Sequence, residues 1–147
     1  MIAASASELG ILLSARAAGV WEVADGHLDL REFWPAPDLA PEVALAFARA
    51  TTRVPIGQTG LGIVAAALQG HPRVSVAEEL PEDSGSGLWL RRFGASHSFA
   101  VPIFHEQRVV GVVSCAIAEA GGRETDILLV IRDWLAGHPL EISPRRG

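Results

Sequence analysis

Two apolar runs near the carboxyl end of the 147-residue chain constrain its fold more than any other feature. Residues 98–104 and 109–117 are apolar on nearly every position, and only His105-Glu-Gln107 separates them. Strict alternation would mark a strand with one wet face. Unbroken apolarity over so short a length marks a strand covered on both sides. The spacer is too short for a crossover, so the two runs predict an antiparallel hairpin at the centre of a sheet. Pro102 fits such a strand only where its missing donor falls at a bulge or a non-bonded position.

The rest of the chain supplies what would surround that hairpin. Ser5-Ala-Ser-Glu8 has capping-box spacing ahead of Leu9, Ile11, Leu12 and Leu13, which predicts a short helix from Ser5. Residues 19–23 and 27–34 flank Ala24-Asp-Gly26, a tight-turn signal, and form a second hairpin. Asp38 and Pro41 open a helix over 41–50 with Val43, Ala46, Phe47 and Ala50 on one stripe. A glycine-containing loop at 54–59 leads to a helix over 60–69 that Gly70 closes. Residues 73–77 alternate as a strand, 78–87 read as an acidic, flexible stretch, and 88–93 form one or two helical turns stopped by Gly94. The last helix, 124–136, turns Ile127, Leu128, Ile131, Trp134 and Leu135 inward, and the tail from 138 to 147 is expected to be loose. Strand pairs joined by short turns and flanked by helices make an α+β fold.

Composition narrows the chemistry. The net charge is −5, and the only adjacent basic pairs are Arg91–Arg92 and Arg145–Arg146, so nucleic-acid binding is not expected. All 12 basic residues are Arg, which removes Schiff-base and P-loop lysines. The single cysteine, Cys115, excludes an intramolecular disulfide, a CxxC pair and a cysteine-rich zinc site. Residues 54–72 are uncharged but contain Pro55, Gln58 and several glycines, unlike a membrane span. No secretory signal is recognised, because Glu8 precedes a very short apolar run. A cytoplasmic chain folding as one domain over residues 1–147, with its core at about 15–137, is the expectation.

Three stretches together resemble the GAF domain family. They are the hairpin around Asp25-Gly26; Gly57-Gln-Thr-Gly-Leu-Gly62 with the following helix and Arg73-Val-Ser-Val76; and Ala100-Val-Pro-Ile103 with Val109-Val-Gly-Val-Val113. The resemblance implies a GAF/PAS-like central antiparallel sheet of five or six strands in order 2-1-5-4-3. It also implies a ligand cavity on one sheet face and dimers formed through terminal helices. Departures matter. With no Asn or Lys, the motif of cyclic-nucleotide binders is absent. Cys115 is followed by Ala116, not by the His usual in bilin attachment, and one cysteine cannot form the disulfide of the family's methionine sulfoxide reductases.

Candidate binding residues fall in three places. Gly60, Leu61 and Gly62 belong to a glycine-rich loop entering a helix, which either exposes amides to an anion or only lets the chain turn and pack. His97, between Ser96 and Ser98, is a candidate pocket wall or a histidine satisfied by its own backbone neighbours. Adjacent strand residues point to opposite faces, so Ser96 and His97 are not expected to form a nucleophile–base pair. Trp89, Arg91 and Arg92 lie where GAF-like domains carry a lid, and an Arg there either clamps an anion or is solvated. No metal site is expected, because the histidines lack ligand spacing. The ligand is unknown. The expected role is non-catalytic: a sensory domain that binds a small molecule, shifts the lid at 78–94, and signals through a homodimer or another signalling protein. The alternatives are a ligand-free dimerisation module, burying Ile127, Ile131 and Trp134 across a two-fold axis, and a reductase using Cys115 with an external thiol. At this length no kinase, cyclase or DNA-binding output domain is expected beside it.

Overall fold

The computed structural model describes residues 5–137; the expected capping contact of the Ser5 side chain and the tail at 138–147 lie outside the described residues. Helix α1 (Ser5–Leu12) leads to the hairpin β1 (Ala17–Ala24) and β2 (His27–Pro35), turned by Gly26 at φ 72°. Helix α2 (Pro41–Ala50), β3 (Arg53–Pro55), α3 (Gly62–Gln69) and β4 (Arg73–Val76) follow. A 3-10 turn (Ala77–Glu79) and α4 (Gly85–Phe93) come before the central hairpin β5 (His97–His105) and β6 (Arg108–Ile117), and α5 (Glu124–Gly137) ends the series.

The six strands form one antiparallel sheet in the order β3-β2-β1-β6-β5-β4. Without β3 this is the expected order. The added edge strand lies where the sequence reads as loop, three residues that pair Val54 with Leu28. The two apolar runs are neighbours at the sheet centre, as their composition requires, with Val101 opposite Val113. Pro102 is accommodated because β4 reaches only as far as Ala100, so β5 beyond it has a partner on one side alone.

Alternation along the strands sorts the core into two layers. Ala18, Val20, Phe99, Val101, Val113, Cys115 and Ile117 meet Leu9 of α1 and Ile127, Ile131 and Trp134 of α5. Those three α5 residues therefore complete this chain's own core and do not form an outward two-fold surface. On the other face Trp21, Leu28, Ala100 and Val112 meet Ile63, Val64 and Ala66 of α3, while Phe93 and Leu90 of α4 pack beside them. A bulge opposite Ile103 and Phe104 resets the alternation, which is how Val110 joins the α5 side although Val112 faces α3.

Residues 78–87 are not the flexible stretch their composition implies. The Arg91 guanidinium donates to the carbonyls of Ala77 (2.7 Å) and Gly87 (3.1 Å) and ties α4 to the 3-10 turn. Helix α4 consequently begins at Gly85, three residues earlier than expected.

Candidate functional site

A cavity opens between the sheet and helices α2, α3 and α4, and its origin is a contrast in side-chain size. Where β1, β5 and β6 run under the helices they present Ala17, Gly19, Ser98, Ser114 and Ala116. These side chains are too short to reach the opposite layer, so they form a floor. The walls are aromatic: Trp21, Phe33, Phe47, Trp89 and Phe93. Phe47 is the hub, with ring centroids 5.0 Å from Phe93, 5.2 Å from Trp89 and 5.4 Å from Phe33. Edge-to-face geometry holds the first two, the arrangement favoured by ring quadrupoles. The Trp21 indole donates to the Thr51 carbonyl at 3.0 Å, which fixes that wall. The remaining void is about 50 Å³, room for a few waters or a small planar group. Among the described residues no charged side chain lines it.

A second, more polar cavity of about 140 Å³ adjoins the first and shares Leu61, Gly62 and Ser86 with it. It lies between the starts of α3 and α4, which are stapled together. The Ser86 amide donates to the Gly60 carbonyl (3.0 Å), and the Gly62 amide donates to the Ser86 hydroxyl (2.9 Å). Gly85 permits the approach: its φ is +58°, and an added Cβ would lie 2.5 Å from the Gly60 carbonyl oxygen. At its far end α4 is held by Arg16, which donates to the Phe93 carbonyl (2.9 Å) and pairs with Asp38 (2.7 Å). That Arg16 contact keeps the Asp38 carboxyl below its ordinary value.

The sequence candidates divide between the two sheet faces. Trp89, Ser98, Leu61 and Gly62 line the aromatic cavity, and Gly60, Leu61 and Gly62 line the polar one. Arg92 stacks on Trp89 with Cζ 5.1 Å from the ring centroid, and Arg91 is bound to backbone carbonyls. His97 and Ser96 lie away from both cavities. His97 is buried, stacks on Phe99, and faces the α5 layer.

Ser96 and His97 do make contact, contrary to the expectation from strand alternation. Ser96 precedes β5, so the alternation does not govern it, and its Oγ lies 2.7 Å from His97 Nδ1. His97 Nε2 lies 3.2 Å from Glu124 Oε2. This order of hydroxyl, imidazole and carboxylate imitates a triad, but the Ser96 hydroxyl also accepts the Ala120 amide at 3.2 Å. The group holds the start of α5 against the sheet. The Glu124 carboxyl is kept below its ordinary value first by its own backbone amide, against partial desolvation, and then by His97 and the Gly122 amide.

Cys115 is fully buried, and desolvation pushes its thiol up to about 12. Among the described residues no three His, Cys, Asp or Glu side chains form a metal-binding group, and no helix is long and apolar enough to cross a membrane.

Sequence reasoning missed Phe33 and Phe47 as cavity walls, and Arg73, Ser75 and Ser84 as the lining of the polar cavity. The signal for the floor was present in Ser98, Ser114 and Ala116, small residues at alternate positions in otherwise bulky runs.

Comparison with known families agrees with this architecture. The GAF domain family model matches residues 1–133. The chain belongs to the GAF domain family. No curated protein matches its sequence. Among solved structures it is similar to the type II free methionine-R-sulfoxide reductase of Thermoplasma acidophilum, at 14% identity over 97% of this chain and 92% of that one, with a TM-score of 0.68. It is also similar to the GAF domain of a two-component sensor histidine kinase from Bacillus halodurans, at 16% identity over 90% and 85%, with a TM-score of 0.63. The free methionine-R-sulfoxide reductase of Neisseria meningitidis, solved with its substrate, matches at 20% identity over 93% and 74%, with a TM-score of 0.60. At these identities the likeness is one of fold. This GAF domain thus shares its architecture with both sensors and enzymes.

Proposed function

We propose that this GAF domain is a non-catalytic sensor that binds a small molecule in the aromatic cavity and reports it to a partner protein or a second copy, in the cytoplasm. One observation carries the reading. Small residues on three adjacent strands leave a void under five aromatic rings, where a protein with no use for the space would fill it at native packing density. Ser98 and Ser114 give that void polar points on its floor, and α4 closes it as a lid pinned at both ends. Occupancy would alter how α4 rests on Phe47 and so shift the lid.

Native mass spectrometry of the purified chain and of Ser114→Leu, whose side chain fills the void, tests the reading. A small molecule retained by the wild type and lost from the variant is the expected result. Retention by both, or a wild type that carries nothing and shows no thermal shift with benzyl alcohol, indole or the free amino acids, overturns it.

A second reading, a dimerisation module, draws on Ile11 (67% exposed), Leu12 (59%) and Leu129 (40%) on the two terminal helices. Sedimentation velocity separates it from a monomer. The reductase reading takes its support from the activity named for two relatives. It needs a nucleophilic thiolate, and the burial that raises the Cys115 thiol to about 12 works against one.

A further inference from the structure

We infer that the outward face of α2 is a docking surface for a second copy of this chain, the two α2 helices meeting antiparallel about a two-fold axis. Apart from Glu42 and Arg49 every residue of α2 is apolar, yet none is buried, whereas α3, α4 and α5 each bury three residues. A helix apolar all round ordinarily lies inside a protein. Val43, Ala44 and Phe47 pack toward α4 and the sheet. The opposite side is the stripe of Glu42, Leu45, Ala46 and Arg49, spaced i, i+3, i+4 and i+7. Glu42, Leu45 and Arg49 are exposed, Leu45 by 52%.

The charges on this stripe select the occupant. Glu42 lies in the first turn and Arg49 in the last. Neither makes an ion pair among the described residues. That placement suits the dipole of α2 itself, and it also makes the stripe complementary to its own inverse. When a copy is turned end for end, residue 42 comes opposite residue 49 and residue 45 opposite residue 46. Two Glu42–Arg49 pairs then flank a centre where Leu45 of each copy seats on the small Ala46 of the other, a ridge in a groove. The terminal helices α1 and α5 cover the other face of the sheet, so this surface is separate from one built on Ile11, Leu12 and Leu129. It needs no ligand and stands or falls apart from the cavity reading.

One helix on one helix is a small contact of the transient class, so association is sought by sedimentation equilibrium at low salt up to about 1 mM chain. The samples are wild type, Leu45→Asp, Ile11→Asp, Glu42→Arg, Arg49→Glu and an equimolar mixture of the last two. Wild type should dimerise, and Leu45→Asp should not. Each charge reversal places like charges opposite one another and should weaken the dimer about tenfold, the more so at low salt. The mixture should restore it, because both opposed pairs then have opposite signs again. Ile11→Asp should change nothing. Rescue in the mixture also excludes misfolding as the cause of the single losses. A wild type that stays monomeric, or a mixture no more associated than its components, overturns the α2 interface and leaves the cavity reading untouched. Dimers lost with Ile11→Asp and kept with Leu45→Asp overturn it too, and assign association to the terminal helices.

Discussion

His97 Nε2 and Glu124 Oε2 lie 3.2 Å apart, joining the first residue of β5 to the first residue of α5. With Ser96 Oγ on the other ring nitrogen and on the Ala120 amide, this contact fixes where α5 begins. Holding the Glu124 carboxyl below its ordinary value makes its charged form the stabilising one. The contribution is therefore complete above the ordinary glutamate range and lost as pH falls through the lowered folded value. Thermal melts should show wild type more stable than Glu124→Gln near neutrality, with the gap closing as pH falls through and below the ordinary glutamate range. A constant gap across that range would contradict the assignment.

Gly85 is a position where the backbone tolerates no side chain. Its φ of +58° and the 2.5 Å approach of a Cβ to the Gly60 carbonyl oppose substitution together. Gly85→Ala should cost about 2 kcal/mol or more in urea denaturation and part the starts of α3 and α4. Gly121→Ala, where a Cβ meets nothing within 4 Å, should cost well under that and serves as the control.

Phe47 touches four other rings and is the centre of the cavity wall. Phe47→Ala should lower the unfolding free energy by about 3 kcal/mol. It should also enlarge the void enough to admit an apolar probe such as benzene, read as a probe-dependent rise in melting temperature.

Cys115 should resist thiol reagents in the folded protein and react only at the rate of unfolding. Its thiol is raised to about 12, so the folded state favours the protonated form. Stability is whole below the ordinary cysteine value and declines as pH rises through it toward the raised one. Cys115→Ala should remove that alkaline decline, while Cys115→Ser should cost about 1–3 kcal/mol by burying a hydroxyl.

The fold was legible where one physical signal dominated. The runs at 98–104 and 109–117 had to be central strands because both faces were apolar, and Asp25-Gly26 and Gly70 marked turn and helix end by backbone conformation. Legibility failed where a distant partner decides. Ser84-Gly-Ser-Gly87 has the composition of a flexible loop, yet Arg91 and the Gly60–Ser86 contact order it. The site was half legible. Gly60, Leu61, Gly62, Trp89 and Ser98 do line cavities, whereas His97 faces the other layer, because strand parity cannot be assigned a side until the helices are placed. Ser75 gave no local signal at all: a serine in an alternating strand reads as the solvent-facing residue, and here it is the buried one.

Ser98 supports the aromatic void from beneath, and its chain neighbours His97 and Phe99 bear on α5 from above. The partition between the two compartments is thus a single peptide thick. Along β5 there is no intervening layer to absorb a displacement, so a strand nudged from one side moves what leans on the other. A molecule lodged in the void and a protein grasping α5 would press on the same few backbone atoms, and by thermodynamic linkage each would feel the other to the same degree.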